Sequence, residues 1–180
     1  GNPSIRYGLE ALKQQGVDEL LLIPLFPHYA QATTESSLKE AHKQLKQMNW
    51  SPKLLEIHHF ETDSEYIRPL VNSIKPHINQ ETHLLFSYHG LPVSHVKRID
   101  ESKSHCQKVD DCCSISCDAN QLCYAHHCMK TTLEVVKSLN LEPDQWSLSF
   151  QSRLGPVKWL EPSTVDKVAQ LVGSGVKKLA

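Results

Sequence analysis

The sequence predicts an α/β protein built on an open parallel sheet, and three features carry that prediction. Short, nearly all-apolar runs alternate with amphipathic helical stretches along the whole chain. The runs have the continuous hydrophobicity of strands covered on both faces, not the alternation of a half-exposed hairpin. Capping residues and glycines fall where the helical stretches begin and end.

Taken in order, Asn2 as N-cap with Pro3 in the first turn opens a helix with Ile5, Leu9 and Leu12 on one face, and Gly16 stops it. Leu20 to Phe26 is the first buried strand. A helix beginning within Thr33 to Ser37 continues to about Met48, and Leu54 to Phe60 follows as a strand. Thr62 and Glu65 form a capping box for a helix carrying Ile67, Leu70 and Ile74, which Pro69 and Pro76 distort or end. His83 to Tyr88 is the next buried strand. Asn120 to Leu139 is a helix with Leu122, Met129, Leu133 and Val136, and Trp146 to Phe150 is a strand. Ser163 or Thr164 caps a last helix through Leu171, ended by Gly173 and Gly175. Val176 to Ala180 reads as a strand just beginning. Both ends read as cut, without an initiator methionine or a targeting signal, so the chain is expected to be a fragment.

Bulk properties narrow the function. The 180 residues are 39% hydrophobic, enough for one good core or two small ones. Nineteen basic against 20 acidic residues, a formal charge of -1, give no electrostatic case for nucleic acid. The longest apolar stretch, Leu20 to Phe26, is far short of the roughly 20 residues that span a bilayer. A cytoplasmic location is expected, with peripheral membrane contact left open, as is oligomeric state.

Open parallel sheets place chemistry at the carboxyl ends of their strands. Three segments lie there: Pro24 to Thr34, Ser87 to Pro92, and Phe150 to Thr164. The first reads Pro24-Leu25-Phe26-Pro27-His28-Tyr29-Ala30-Gln31-Ala32-Thr33-Thr34, and the second Phe86-Ser87-Tyr88-His89-Gly90-Leu91-Pro92. The third runs from Phe150-Gln151-Ser152-Arg153-Leu154-Gly155 through Trp159-Leu160-Glu161-Pro162-Ser163-Thr164. Together, in this order, they resemble the signature stretches of ferrochelatases, with His28 and Ala30 where that family usually has Gln and Ser.

The resemblance implies an enzyme, a lyase, that inserts Fe²⁺ into protoporphyrin IX or coproporphyrin to form haem, with two flavodoxin-like parallel-sheet lobes facing each other across a cleft. Residues 1–60 would be the end of the first lobe and 61–180 most of the second, both incomplete. A glutamate opposite the histidine would follow Ala180, so this piece alone is expected to be inactive. His89 occupies the position of the family's metal-site histidine. An imidazole can ligate the metal or accept a pyrrole proton, but one ring nitrogen does not do both at once. Pro27, His28 and Tyr29 would line the porphyrin cleft. Ser87 orients the strand end or satisfies backbone groups. Arg153 meets a propionate through its planar fork or forms a salt bridge, and Trp159 and Tyr29 stack on the macrocycle or belong to the core.

All six cysteines fall between Cys106 and Cys128, so they are a local device. Residues 104–123 resemble the cysteine-rich insert of bacterial ferrochelatases that carry an internal [2Fe-2S] cluster. Tyr124, Cys128 and Thr131 keep the family's pattern just beyond it, with His127 in place of Gln. Four thiolates hold such a cluster. Cys106, Cys112, Cys113 and Cys123 are the expected ligands, with Cys117 as substitute and Cys128 structural. A zinc site, with His105 or His127 taking part, is the rival. His58 and His59 point to opposite faces of a strand and are read as incidental, and His126 and His127 as solvated. Two other readings stand beside ferrochelatase: a chelatase for another tetrapyrrole, and a non-catalytic haem or iron carrier on the same fold.

Overall fold

The computed structural model describes residues 2–180. It is α/β with parallel pairing, in two compact units that divide after Phe60.

In the first unit, helix α1 (Ile5–Gln14) is capped by the Ser4 hydroxyl, which accepts from the Tyr7 amide at 3.1 Å. The cap therefore falls two residues later than Asn2. Gly16 ends the segment in the left-handed region, at φ 74°. Strand β1 (Glu19–Leu22) pairs in parallel with β2 (Lys53–Glu56), Leu20 opposite Leu54. Between them a wide helical turn, Gln31–Glu35, leads into α2 (Ser36–Gln47). Leu9, Leu20 and Leu45 form the core, with Val17, Met48, Trp50 and Leu54 packed on it.

Two expectations change here. The strand stops at Leu22 and does not reach Phe26, because Pro24 lacks an amide and the Phe26 amide turns back onto the Pro24 carbonyl at 2.7 Å. Leu21, Ile23 and Leu25 are exposed, so this run is not covered on both faces among the described residues. The second strand likewise ends at Glu56, leaving His58 and His59 in the following loop, where the alternation of a strand does not apply.

The second unit opens at Glu61, which is 1% exposed. Its carboxylate meets Lys130 Nζ, and its carbonyl accepts from the Thr131 hydroxyl at 2.8 Å. Helix α3 (Ser64–Ile74) is capped by Asp63, which accepts from the Glu65 amide at 2.8 Å, in place of the Thr62 box. It runs through Pro69, held by packing of Ile67, Leu70, Val71 and Ile74, and ends in a turn containing Pro76. Strands β3 (Leu84–His89) and β4 (Trp146–Gln151) pair in parallel, with Ser87 opposite Ser149 and His89 opposite Gln151. Residues 178–180 bond to the other edge of β3. Helices α4 (Val93–Lys97), α5 (Tyr124–Leu139) and α6 (Thr164–Gly173) complete the unit, the last capped by Ser163.

Two cores share the β3–β4 sheet. One, built on Ile67, Leu84, Phe86, Val135 and Val136, joins α3 and α5 to the sheet. The other, Val96, Cys123, Ala125, Cys128, Phe150 and Leu160, lies under the strand ends and takes Cys106 and Cys113 onto its surface.

Candidate functional site

β3 ends on His89, an exposed residue flanked by half-buried Tyr88 and buried Gly90. His89 Nδ1 lies 2.7 Å from the Gly90 carbonyl oxygen. A carbonyl has no proton to give, so Nδ1 carries the hydrogen and donates, and in the neutral ring Nε2 then keeps its lone pair. That is the tautomer a metal ligand or a proton acceptor requires.

Glycine is required at position 90 by close approach. A Cβ there would lie 2.7 Å from the Gln151 carbonyl oxygen and 3.3 Å from the Trp159 ring. The Gly90 amide donates to that same Gln151 carbonyl at 2.7 Å, closing the strand end onto β4. Trp159 is half-buried, donates through Nε1 to the Leu154 carbonyl at 2.9 Å, and pairs with Pro92 across a short bridge. Arg153 is exposed and lines one shallow cleft with Gly90, Trp159 and Glu161. The second and third motifs thus meet around His89. Ser87 does not serve backbone groups: its hydroxyl bonds Thr164 Oγ1 at 2.8 Å, and Ser149 bonds the same oxygen at 3.0 Å.

In the first unit, the Pro27 carbonyl accepts from the Phe60 amide at 3.0 Å, and His28 is buried. Tyr29 is also buried, and its hydroxyl reaches Glu35 at 3.2 Å. Burial first, then the Glu35 carboxylate, pushes Tyr29 up to about 12. Its ring lies in the packed interior of the first unit.

The insert is laced by side chains as much as by backbone. Asp100 accepts from the Ser102 hydroxyl and from the Cys106 and His105 amides, which holds its carboxyl well below the usual range. Asn120 donates to the Cys112 and Ile115 carbonyls. His126 is buried, not solvated: Nδ1 donates to the Cys113 carbonyl at 2.7 Å, and Nε2 meets the Ser116 hydroxyl at 3.0 Å. His127 is fully buried and donates through Nε2 to the Gln121 carbonyl at 2.7 Å. Both expectations of solvation fail because the insert folds over the start of α5 and presents carbonyls to these rings.

The thiols divide into groups. Cys112 and Cys113 Sγ are 3.9 Å apart, Cys113 hydrogen-bonds Cys123, and Cys106 feels the charge of Cys123 and Cys112. Cys117 instead faces His105, 3.6 Å from its Nε2. Cys128 is fully buried. Burial first pushes the Cys106 thiol up to about 11. Cys123, the residue before α5, is held below the ordinary thiol value, first by the Cys113 hydrogen bond and then by the backbone amides of His126 and Ala125. Tyr124 was visible in the sequence only as a retained motif position. Its hydroxyl donates to the His89 carbonyl at 2.8 Å, a long-range contact that no local pattern signals.

A family model for ferrochelatase matches residues 1–180. The chain belongs to the ferrochelatase family. The ferrochelatases of Ectopseudomonas mendocina (strain ymp) and Stutzerimonas stutzeri (strain A1501) are each 40% identical to it over 99% of this chain and 53% of their own length. That of Bdellovibrio bacteriovorus (strain HD100) is 37% identical over 99% of this chain and 52% of its own. The chain spans about half the length of the curated ferrochelatases it matches. Among the described residues, no helix is long and apolar enough to cross a membrane.

Proposed function

We propose that the full-length protein containing this chain inserts Fe²⁺ into a porphyrin, protoporphyrin IX or coproporphyrin, to form haem. The observation that carries this is His89, exposed at the end of a parallel strand with Nδ1 facing the Gly90 carbonyl, an arrangement that in the neutral ring leaves the Nε2 lone pair to act. Insertion forms four Fe–N bonds and releases two pyrrole protons. Nε2 would meet the iron first, replacing a water ligand, and be freed as the iron passes to the ring, when it accepts one of the two pyrrole protons while the other leaves to solvent. Arg153, beside Gly90 and Trp159, suits a propionate, and Trp159 offers the edge of the ring a flat wall. Pro27, His28 and Tyr29 contribute as backbone and packing of their own strand-end loop, while Ser87 fixes the strand end through Thr164. The two compact units are read as parts of two chelatase lobes.

The insert suits a [2Fe-2S] cluster held by Cys106, Cys112, Cys113 and Cys123. The close sulfurs of Cys112 and Cys113, the Cys113 to Cys123 hydrogen bond and the electrostatic contacts of Cys106 support that set. Zinc ligation through Nε2 of His105 or His127 is disfavoured, because each of these nitrogens is engaged by a backbone carbonyl. When bound, the cluster supplies a one-electron centre and a clamp on the loop. The free thiols and the fold suit a reducing, cytoplasmic compartment.

The test compares ferrous iron insertion by the full-length wild type and His89→Ala, followed as haem absorbance. Activity lost only in the variant supports the reading. Porphyrin binding without haem formation in the wild type would replace it with a carrier or another chelatase.

A further inference from the structure

The carbonyl of His89 and the amide of Gly90 belong to one peptide plane, and both ends of that plane are held. The amide donates to the Gln151 carbonyl at 2.7 Å. The carbonyl accepts from the Tyr124 hydroxyl at 2.8 Å. The next carbonyl, that of Gly90, is the group that receives the proton of His89 Nδ1. The direction of that second carbonyl therefore depends on the plane before it. Position 90 is a glycine, the residue with the least intrinsic resistance to a peptide flip. The conformation must be imposed from outside, and Tyr124 supplies a side-chain hydrogen bond to that plane.

Tyr124 is itself rigidly placed. It is the first residue of α5, its ring packs on the core formed by Val96, Cys123, Ala125, Cys128, Phe150 and Leu160, and its hydroxyl also contacts the Cys128 thiol. The hydroxyl has one hydrogen, spent on the His89 carbonyl, so the thiol is the donor in the second contact.

We propose that Tyr124 is a positioning residue for His89: by holding the His89–Gly90 peptide plane it fixes the imidazole in the tautomer that leaves Nε2 unprotonated. This deepens the ferrochelatase reading and rests on it for its catalytic consequence, although the positioning itself does not require turnover. Tyr124 acts through His89 and touches neither iron nor porphyrin. Partners that orient a metal-facing histidine typically carry a 10- to 100-fold effect on affinity or activity.

The experiment uses the full-length protein and Tyr124→Phe, which keeps the ring in the core and removes only the hydroxyl. The first readout is ¹⁵N NMR of the His89 imidazole, assigned by comparison with His89→Ala. The second is the steady-state split of ferrous insertion into kcat and KM for porphyrin. Expected in the wild type is one fixed tautomer with the proton on Nδ1, and in Tyr124→Phe a mixture of the two tautomers. The kcat of the variant should fall about tenfold or more while KM for porphyrin stays within about twofold. An unchanged tautomer in Tyr124→Phe overturns the proposal, as does a changed tautomer with unchanged kcat in an active enzyme. If the wild type forms no haem, the ferrochelatase reading fails separately, and the imidazole spectra alone decide the role of Tyr124.

Discussion

At the scale of single residues, Gly90 carries the sharpest constraint. A methyl group there meets a backbone oxygen, which cannot swing away as a flexible side chain would. Gly90→Ala should therefore push β3 and β4 apart at their ends, costing about 1–3 kcal/mol and abolishing iron insertion. Urea denaturation and haem formation measure the two effects. His83 provides a pH test. Its ring is buried beside Ser147, and burial, with Lys167 adding to it, lowers its pKa below the ordinary histidine value. A histidine held neutral in the folded state gives stability that is complete above the unfolded value of about 6.5 and is lost as pH falls below it. The denaturation midpoint should drop between pH 7.5 and pH 5.5, and His83→Gln should flatten part of that drop. The position of His89 at a strand end was legible in the sequence, because a histidine closing a buried apolar run is a local pattern. Its tautomer was not legible, since it depends on Tyr124 and Gln151, which lie 35 residues away and across the sheet.

At the scale of elements, the α/β alternation and parallel pairing were legible because apolar runs and caps are local signals. The errors were local too. Pro24 cut a strand whose hydrophobicity continued past it, and Asp63 outcompeted Thr62 for the α3 cap. The buried pair His126 and His127 was misread because solvation was judged from the helix alone, without the insert that folds over it. Helix α5 ends on Asn140 in the left-handed region, φ 51°. Asn140→Gly should be neutral or slightly stabilising, whereas Asn140→Ala should cost about 1 kcal/mol. Chemical denaturation of both variants checks the sign of each. At the other end, Cys123 places a sulfur against the free amides of the first turn, where negative charge is favoured.

At the scale of the whole molecule, the second unit is anchored at its first residue. Glu61 is buried against Lys130, with its carbonyl tied to Thr131, and removing its carboxylate leaves the ammonium without that partner. Glu61→Ala should destabilise the protein by at least about 2 kcal/mol, read from its melting and denaturation curves. Metal removal gives a second test at this scale. A group that binds the folded insert and not the unfolded chain adds its binding free energy to stability. Chelation under reducing conditions should bleach any visible absorption and lower the melting temperature together, while Cys117→Ser, whose thiol faces His105, should leave both close to wild type.

The contacts that shape the insert have one more consequence, for the order of events during synthesis. The side chains that lace it, Asp100, His105, Asn120 and His126, lie within the same short stretch as the thiols they arrange. Closing such short loops costs little chain entropy. None of those bonds waits for β4, which is translated later. On a ribosome adding about 5–20 residues per second, the insert can take its shape while its final supports, Phe150 and Leu160, are still to emerge.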